Sequence, residues 1–256
     1  EEQQRQLRAA VVGRARLIHQ MNTLLQRPDT QQQKLGESEE QHNGSVLFKT
    51  LLGELGELYV QTDRILGEKV FKVTSPLVYK PTRTYRQGVE FFENTDATVV
   101  PFGFEQTCRA VSLLMMTDPT VARCGKEVQE PPNTVTVKYQ IKSQLKPGES
   151  YKLMVYAAVR RYREPGRMVF VWRALQEGLS TLSGYHANET GWLVLRPHLG
   201  GCVMESYVRL VPASVGDAAR CKAASDRFAE VVLKTGEGEV NDLMVTLEKM
   251  LLGDTK

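Results

Sequence analysis

Four cysteines and four histidines are the residues here best suited to hold a metal or attack a substrate. Their spacing gives them neither task. Cys108, Cys124, Cys202 and Cys221 form no C-x-x-C pair, and His19, His42, His186 and His198 are scattered. Zinc sites need such ligands close together. No metal or cofactor is expected, and the cysteines read as free reduced thiols. The chain also lacks a nucleophile elbow, a phosphate-binding loop and a dinucleotide fingerprint. Glu205 and Tyr207, on one face of one strand, are the least implausible acid–base pair. The chain therefore reads as non-catalytic. Asn188-Glu189-Thr190 fits the glycosylation pattern but reads as a turn.

The stretch RRYREPGRMVFVWRALQE, residues 160 to 177, raises a sharper question. Side chains alternate between faces along a strand. Met168, Phe170, Trp172 and Ala174 then share one face, and Val169, Val171, Arg173 and Leu175 the other. A buried arginine without a partner costs several kcal/mol. Arg173 is thus either an outward, structurally paired residue or an inward anchor for the polar end of a ligand, with Glu205 as a candidate partner. Arg160 and Arg161 point to opposite faces, and the bland reading is two solvated charges beside a turn. Trp172 and Trp192 read as core or as pocket walls. Met154, Met204 and Met244 suit an adaptable cavity or ordinary packing, while Met115-Met116 reads as plain packing.

The elements that must position these residues follow from periodicity. Residues 5 to 27 read as a helix in which Leu7, Val11, Ile18, Met21 and Leu25 recur near every 3.5 residues, with Arg14 in the seam. Pro28 stops it. That spacing fits a coiled coil, or an amphipathic helix packed on its own domain. Residues 29 to 44 are polar and read as a linker. A second helix is expected over 45 to 66, capped by Asn43 or Ser45. Extended segments follow over 83 to 101, then a helix over 105 to 116 and a loop over 121 to 133. Strands are expected over 134–142, 151–163, 168–176, 192–196 and 202–211, with Ser, Gly and Asn making a loop of 180–191. Joined by turns, these strands form an antiparallel meander. Two closing helices, 217–233 and one beginning near Val240, are expected to be separated by Gly236 and Gly238. In the last, Val240, Leu243, Met244, Leu247 and Leu251 make one apolar stripe, which should bury against the concave face of the sheet.

The segments LGELYVQTDRIL (55–66), VVPFGFEQTCRAVS (99–112), RRYREPGRMVFVWRALQE and GWLVLRP (191–197) carry a resemblance. In this order they resemble the START-like domain of the oomycete mating-specific protein family, whose members often carry an upstream basic-leucine-zipper-like region. QLRAAVVGRARLIHQMNTLLQRPD is similar to the helix that follows that zipper. The resemblance covers roughly residues 5–29 and 45–252. It implies an α+β, helix-grip START-like fold: a curved antiparallel sheet wrapped around a long C-terminal helix, with an extra N-terminal helix. It divides the chain into an N-terminal helix (1–28), a linker (29–44) and a START-like domain (45–252). It implies a cavity for a lipid or other apolar small molecule, within a ligand-sensing regulatory protein. The ligand-facing residues expected are Arg173, Trp172, Trp192, Met154, Tyr156, Met204, Leu243 and Leu247. The other reading is a dimerisation module of a zipper-type transcription regulator with no working cavity.

Composition frames these readings. With 41% hydrophobic and 25% charged residues, the 256-residue chain has the balance of a globular protein. A net charge of +3 from 33 basic and 30 acidic residues gives no argument for nucleic-acid binding. No apolar run approaches the ~20 residues that span a bilayer. The polar opening EEQQRQLRAA has no secretory build and no Met, as expected of a piece of a longer intracellular protein of cytoplasm or nucleus. A homodimer through the N-terminal helix is the partner its seam would give.

Overall fold

The computed structural model describes residues 36–71, 73–74, 77–116, 133–146, 148–214 and 222–253. The helix expected over 5–27, with its seam, lies outside the described residues, as does nearly all of the loop 121–133. The chain forms two units, Glu1–Lys49 and Thr50–Lys256. Of the first, only the start of one helix and a few side chains are described.

That helix, α1, runs Gly36–Val60. It includes residues ahead of the expected residue 45, so residues 36–44 are helical. Glu37, Glu39, Glu40 and Gln41 are good helix formers, and acidic residues near a helix N-terminus favour its dipole. A short helix, α2 (Thr62–Gly67), follows. Leu51, Leu55, Thr62 and Leu66 are buried, at spacings that return to one helical face.

Among the described residues eight strands make one sheet: β1 (Val73–Thr74), β2 (Thr82–Arg86), β3 (Val89–Val100), β4 (Thr134–Lys146), β5 (Glu149–Glu164), β6 (Arg167–Gly178), β7 (Tyr185–His198) and β8 (Gly201–Ser214). The order is β1-β3-β8-β7-β6-β5-β4, with β2 also on β3. Among these strands β1 pairs in parallel and the others antiparallel. The meander β4 to β8 is the expected one. Gly148 and Gly166 turn its first two corners at φ +86° and +76°, the left-handed region that suits glycine. Strand β7 begins at Tyr185, so most of the loop expected over 180–191 is strand. A single 3-10 turn, Ser180–Leu182, makes that connection.

The inner face of the curved sheet carries α3 (Phe104–Met116) and α4 (Lys222–Gly253). The two closing helices expected are one continuous helix. Gly236 does not break it; an added Cβ there would lie 2.9 Å from the Tyr79 ring, so the glycine lets that ring pack against the helix. Helix α4 is held at both ends. Phe228, Val231 and Val232 pack with Phe92, Leu153, Tyr185 and Leu210. Leu247 and Leu251 pack with Cys108, Val111, Met168, Phe170 and Met204. Each fully buried side chain of this size contributes roughly 1.5–3 kcal/mol. Among the described residues no helix is long and apolar enough to cross a membrane.

Candidate functional site

Between those two anchors the middle of α4 faces a cavity of about 250 Å³. Cross-strand register explains the space. One inner row reads Val137, Ala157, Ala174, Glu189 across β4 to β7. Two alanines side by side leave a void that larger residues would fill. The next row places Val159, Trp172 and Gly191 together, and Val208 follows on β8. Helix α3 adds Leu114 and Met115, and α4 adds Gly236, Glu239, Val240 and Leu243.

Gly191 is the pivot of the polar side. An added Cβ would sit 2.0 Å from Trp172 Cζ2 and 2.1 Å from Cε2, so the indole lies flat over the glycine. Trp172 Nε1 donates to Glu189 Oε1 at 2.6 Å. Gln176 Nε2 donates to the other oxygen at 2.8 Å. Glu189 is therefore held through both oxygens inside an apolar wall. Burial raises its carboxyl above the usual range, while the bonds from Trp172 and Gln176 and the Arg173 charge pull it back.

A second carboxyl faces the same space from α4. Tyr139 donates its phenol to Glu239 Oε1 at 3.0 Å. Glu239 is exposed at the rim of the cavity; the protein packed around its carboxyl, and then the charge of Glu189, pushes that carboxyl up to about 7. Burial is also the main cause that raises the phenols of Tyr79 and Tyr139. Tyr79 is aimed here by the inner face of β3. Asn94 Oδ1 accepts from the Lys80 amide at 2.7 Å, and Asp96 accepts from the Val78 amide. The constellation can hold or release a proton near neutrality and can accept hydrogen bonds from a guest. Among the described residues no group of three or more His, Cys, Asp or Glu is placed to hold a metal.

Four of the eight expected ligand-facing residues lie on the inner face. Trp172 and Leu243 line the cavity; Met204 and Leu247 pack in the core beside it. The other four lie on the outer face and cannot reach it. Arg173 is 8% exposed, its Nε ion-paired with Glu54 of α1 at 2.7 Å. It also donates to the Glu189 carbonyl at 3.2 Å and to Thr190 Oγ1. Trp192 donates to the Leu58 carbonyl at 3.0 Å. Met154 and Tyr156 flank the cavity-lining Val155 in sequence and so alternate outward; Lys138 Nζ sits 5.3 Å from the Tyr156 ring centroid. Arg173 is thus the paired outward residue, but its partner is Glu54. Glu205 pairs instead with Arg196 at 3.2 Å. Arg160 and Arg161 bond to Thr134 and Asn133 at the strand end.

Sequence reasoning missed Glu189, Glu239, Gln176, Tyr79 and Tyr139 as site residues, and Met115 lines the cavity where plain packing was expected. Gln176 sits on the Trp172 face and Tyr139 on the inward face of its strand, so both were within reach of alternation. A second, more open depression of about 400 Å³ lies beside Gly148, Leu182 and Ala224. Its Arg227 and Glu149 pair with each other at 3.5 Å, which leaves it no such chemistry.

No protein-family model matches the chain, and no curated protein does. Among solved structures, a protein from Thermus thermophilus is similar at 14% identity and a TM-score of 0.33, over 64% of this chain and 99% of that one. A conserved protein from Geobacillus kaustophilus is similar at 16% identity and a TM-score of 0.33, over 64% and 93%.

Proposed function

We propose that this chain is a START-like, helix-grip domain that binds a small, mostly apolar molecule between the sheet and α4, without catalysis, as the ligand-sensing part of a regulatory protein. The observation that carries the reading is the paired alanines Ala157 and Ala174 beneath the middle of α4. A chain selected only for a solid core would fill that row. The resemblance to the oomycete mating-specific family supports the same reading. An apolar cavity of ~150 Å³ accommodates benzene, so about 250 Å³ suits a guest of roughly ten heavy atoms. That favours a compact molecule over a phospholipid.

Uptake of ethylbenzene, indole and octanol, followed by thermal shift and by amide chemical shifts, tests the reading. The wild type should bind at least one of them, and Ala174→Leu, which fills the void, should bind none. If no probe distinguishes the wild type from Ala174→Leu, the binding reading falls and a dimerisation module without a working cavity takes its place.

A further inference from the structure

The cavity's polar atoms are unbalanced. Three donors are already directed at its carboxylates: the indole of Trp172, the amide of Gln176 and the phenol of Tyr139. Beside the Tyr79 phenol, which also lines the cavity, what remains is mainly acceptor capacity. A carboxylate offers about four lone-pair sites, and Glu189 and Glu239 each keep some unused. Gln176, only 5% exposed and part of the lining, has no partner for Oε1. Among the described residues no lysine, arginine or histidine lines the cavity. Arg173 lies on the far side of the sheet, where it donates to the Glu189 backbone carbonyl and its charge is felt by the Glu189 carboxyl. Two acids thus line one cavity with no basic side chain in its lining, Glu189 half-buried within it and Glu239 at its exposed rim. Attraction between opposite charges strengthens sharply in such surroundings, and so does repulsion between like ones.

Building on the binding reading above, we propose that the guest is a compact apolar amine, its ammonium seated between Glu189 and Glu239. Its N–H groups meet the unused carboxylate sites and, for a primary amine, the free Gln176 acceptor. Its positive charge relieves the repulsion between the two acids. Its hydrocarbon part lies against Val137, Val155, Ala157, Ala174, Val208 and Leu243. An anionic guest such as a fatty acid would bring a third negative charge to the same place and is rejected. The head group expected from Arg173 is thereby reversed in sign.

The test compares 2-phenylethylamine, 2-phenylethanol, ethylbenzene and 3-phenylpropanoate against the full chain at pH 7.5 by calorimetry and amide chemical shifts. The amine should bind at least tenfold more tightly than the alcohol and the hydrocarbon, and the carboxylate should not bind. Glu189→Gln and Glu239→Gln, each first shown to melt cooperatively, should each weaken the amine at least tenfold more than they weaken ethylbenzene. If ethylbenzene binds but the amine gains nothing over it, or phenylpropanoate binds as well, the cavity stands and the amine proposal is overturned. If none of the four binds, both readings fail.

Discussion

Replacing Gly191 with alanine should disturb the site more than one methyl group suggests. The new Cβ would lie 2.0 Å and 2.1 Å from two atoms of the Trp172 indole, where carbon atoms prefer ~3.5–4.0 Å. The ring must retreat by roughly 1.5 Å to restore that contact. Its bond to Glu189, now 2.6 Å, would then exceed the ~3.2 Å limit of a good hydrogen bond. A bond to a charged group is worth ~1.5–3 kcal/mol, and overpacking costs a further ~1–3 kcal/mol. Gly191 is not among the glycines with positive φ, so alanine adds no backbone strain and regains ~0.4–1 kcal/mol from the unfolded chain. The net expectation is a loss of ~2–5 kcal/mol. Urea unfolding followed by circular dichroism reads it directly. The decisive control is the same change beside Trp172→Ala, where no ring remains to displace. There Gly191→Ala should cost less than ~0.5 kcal/mol, since coupling between the two sites is gone. An equal loss in both backgrounds, or none in the wild type, would refute the stacking argument.

Breaking the Arg173–Glu54 pair with Glu54→Gln should cost ~2–3 kcal/mol, below the ~3–5 kcal/mol of a fully buried pair because Glu54 keeps some exposure. The double change Glu54→Leu with Arg173→Met should cost less than the single one, and a loss under ~0.5 kcal/mol for Glu54→Gln would mark an ordinary surface pair. In α4, Gly238→Ala meets open space and should stabilise by about 1 kcal/mol through helix propensity. Gly236→Ala meets the Tyr79 ring and should forfeit that gain; identical shifts in melting temperature for the two would contradict the packing. The Glu239 carboxyl, near 7 when folded against ~4.3 unfolded, binds its proton more tightly in the folded chain. Its contribution is full below pH ~4 and is lost as pH rises through 7. The unfolding free energy of Glu239→Gln should therefore gain on the wild type between pH 5 and 8, by about 1 kcal/mol once solvent screening is allowed for. A gap that stays constant with pH would disprove the raised Glu239 carboxyl.

The scaffold was legible wherever one period ran without interruption. The alternation of TVTVKYQIK and the turns at Gly148 and Gly166 place β4, β5 and β6 within a few residues. The stripe from Val240 to Leu251 finds its face, although half of it lines the cavity and half closes the core. The site was less legible, for physical reasons. Glu189 lies in a stretch of Ser, Gly and Asn that reads as loop, so its face could not be assigned before β7 was known to start at Tyr185. Glu239 lies in GEGEV, where two glycines suggest a break; only the approach of the Tyr79 ring explains Gly236 within a continuous helix. Arg173 is outward and paired, although it was expected among the ligand-facing residues; its partner Glu54 is more than a hundred residues away and no local pattern links them. Ala157 and Ala174 carried the signal for a void, and it became readable only once register set them side by side.

The order of the strands has one more consequence. Along one border of the sheet, β2 and β1 cover successive parts of β3. The opposite border is β4, and among the described residues its outer side has no strand partner. Such a row of backbone groups invites another chain to add a strand and start aggregation. Exposed Lys138, Lys142 and Lys146 lie along it. A second copy approaching in the same way would bring its own lysines, and charge repulsion would resist the pairing. The alternation that turns valines toward the cavity thus turns lysines toward water, and one strand both lines the cavity and guards the open edge of the sheet.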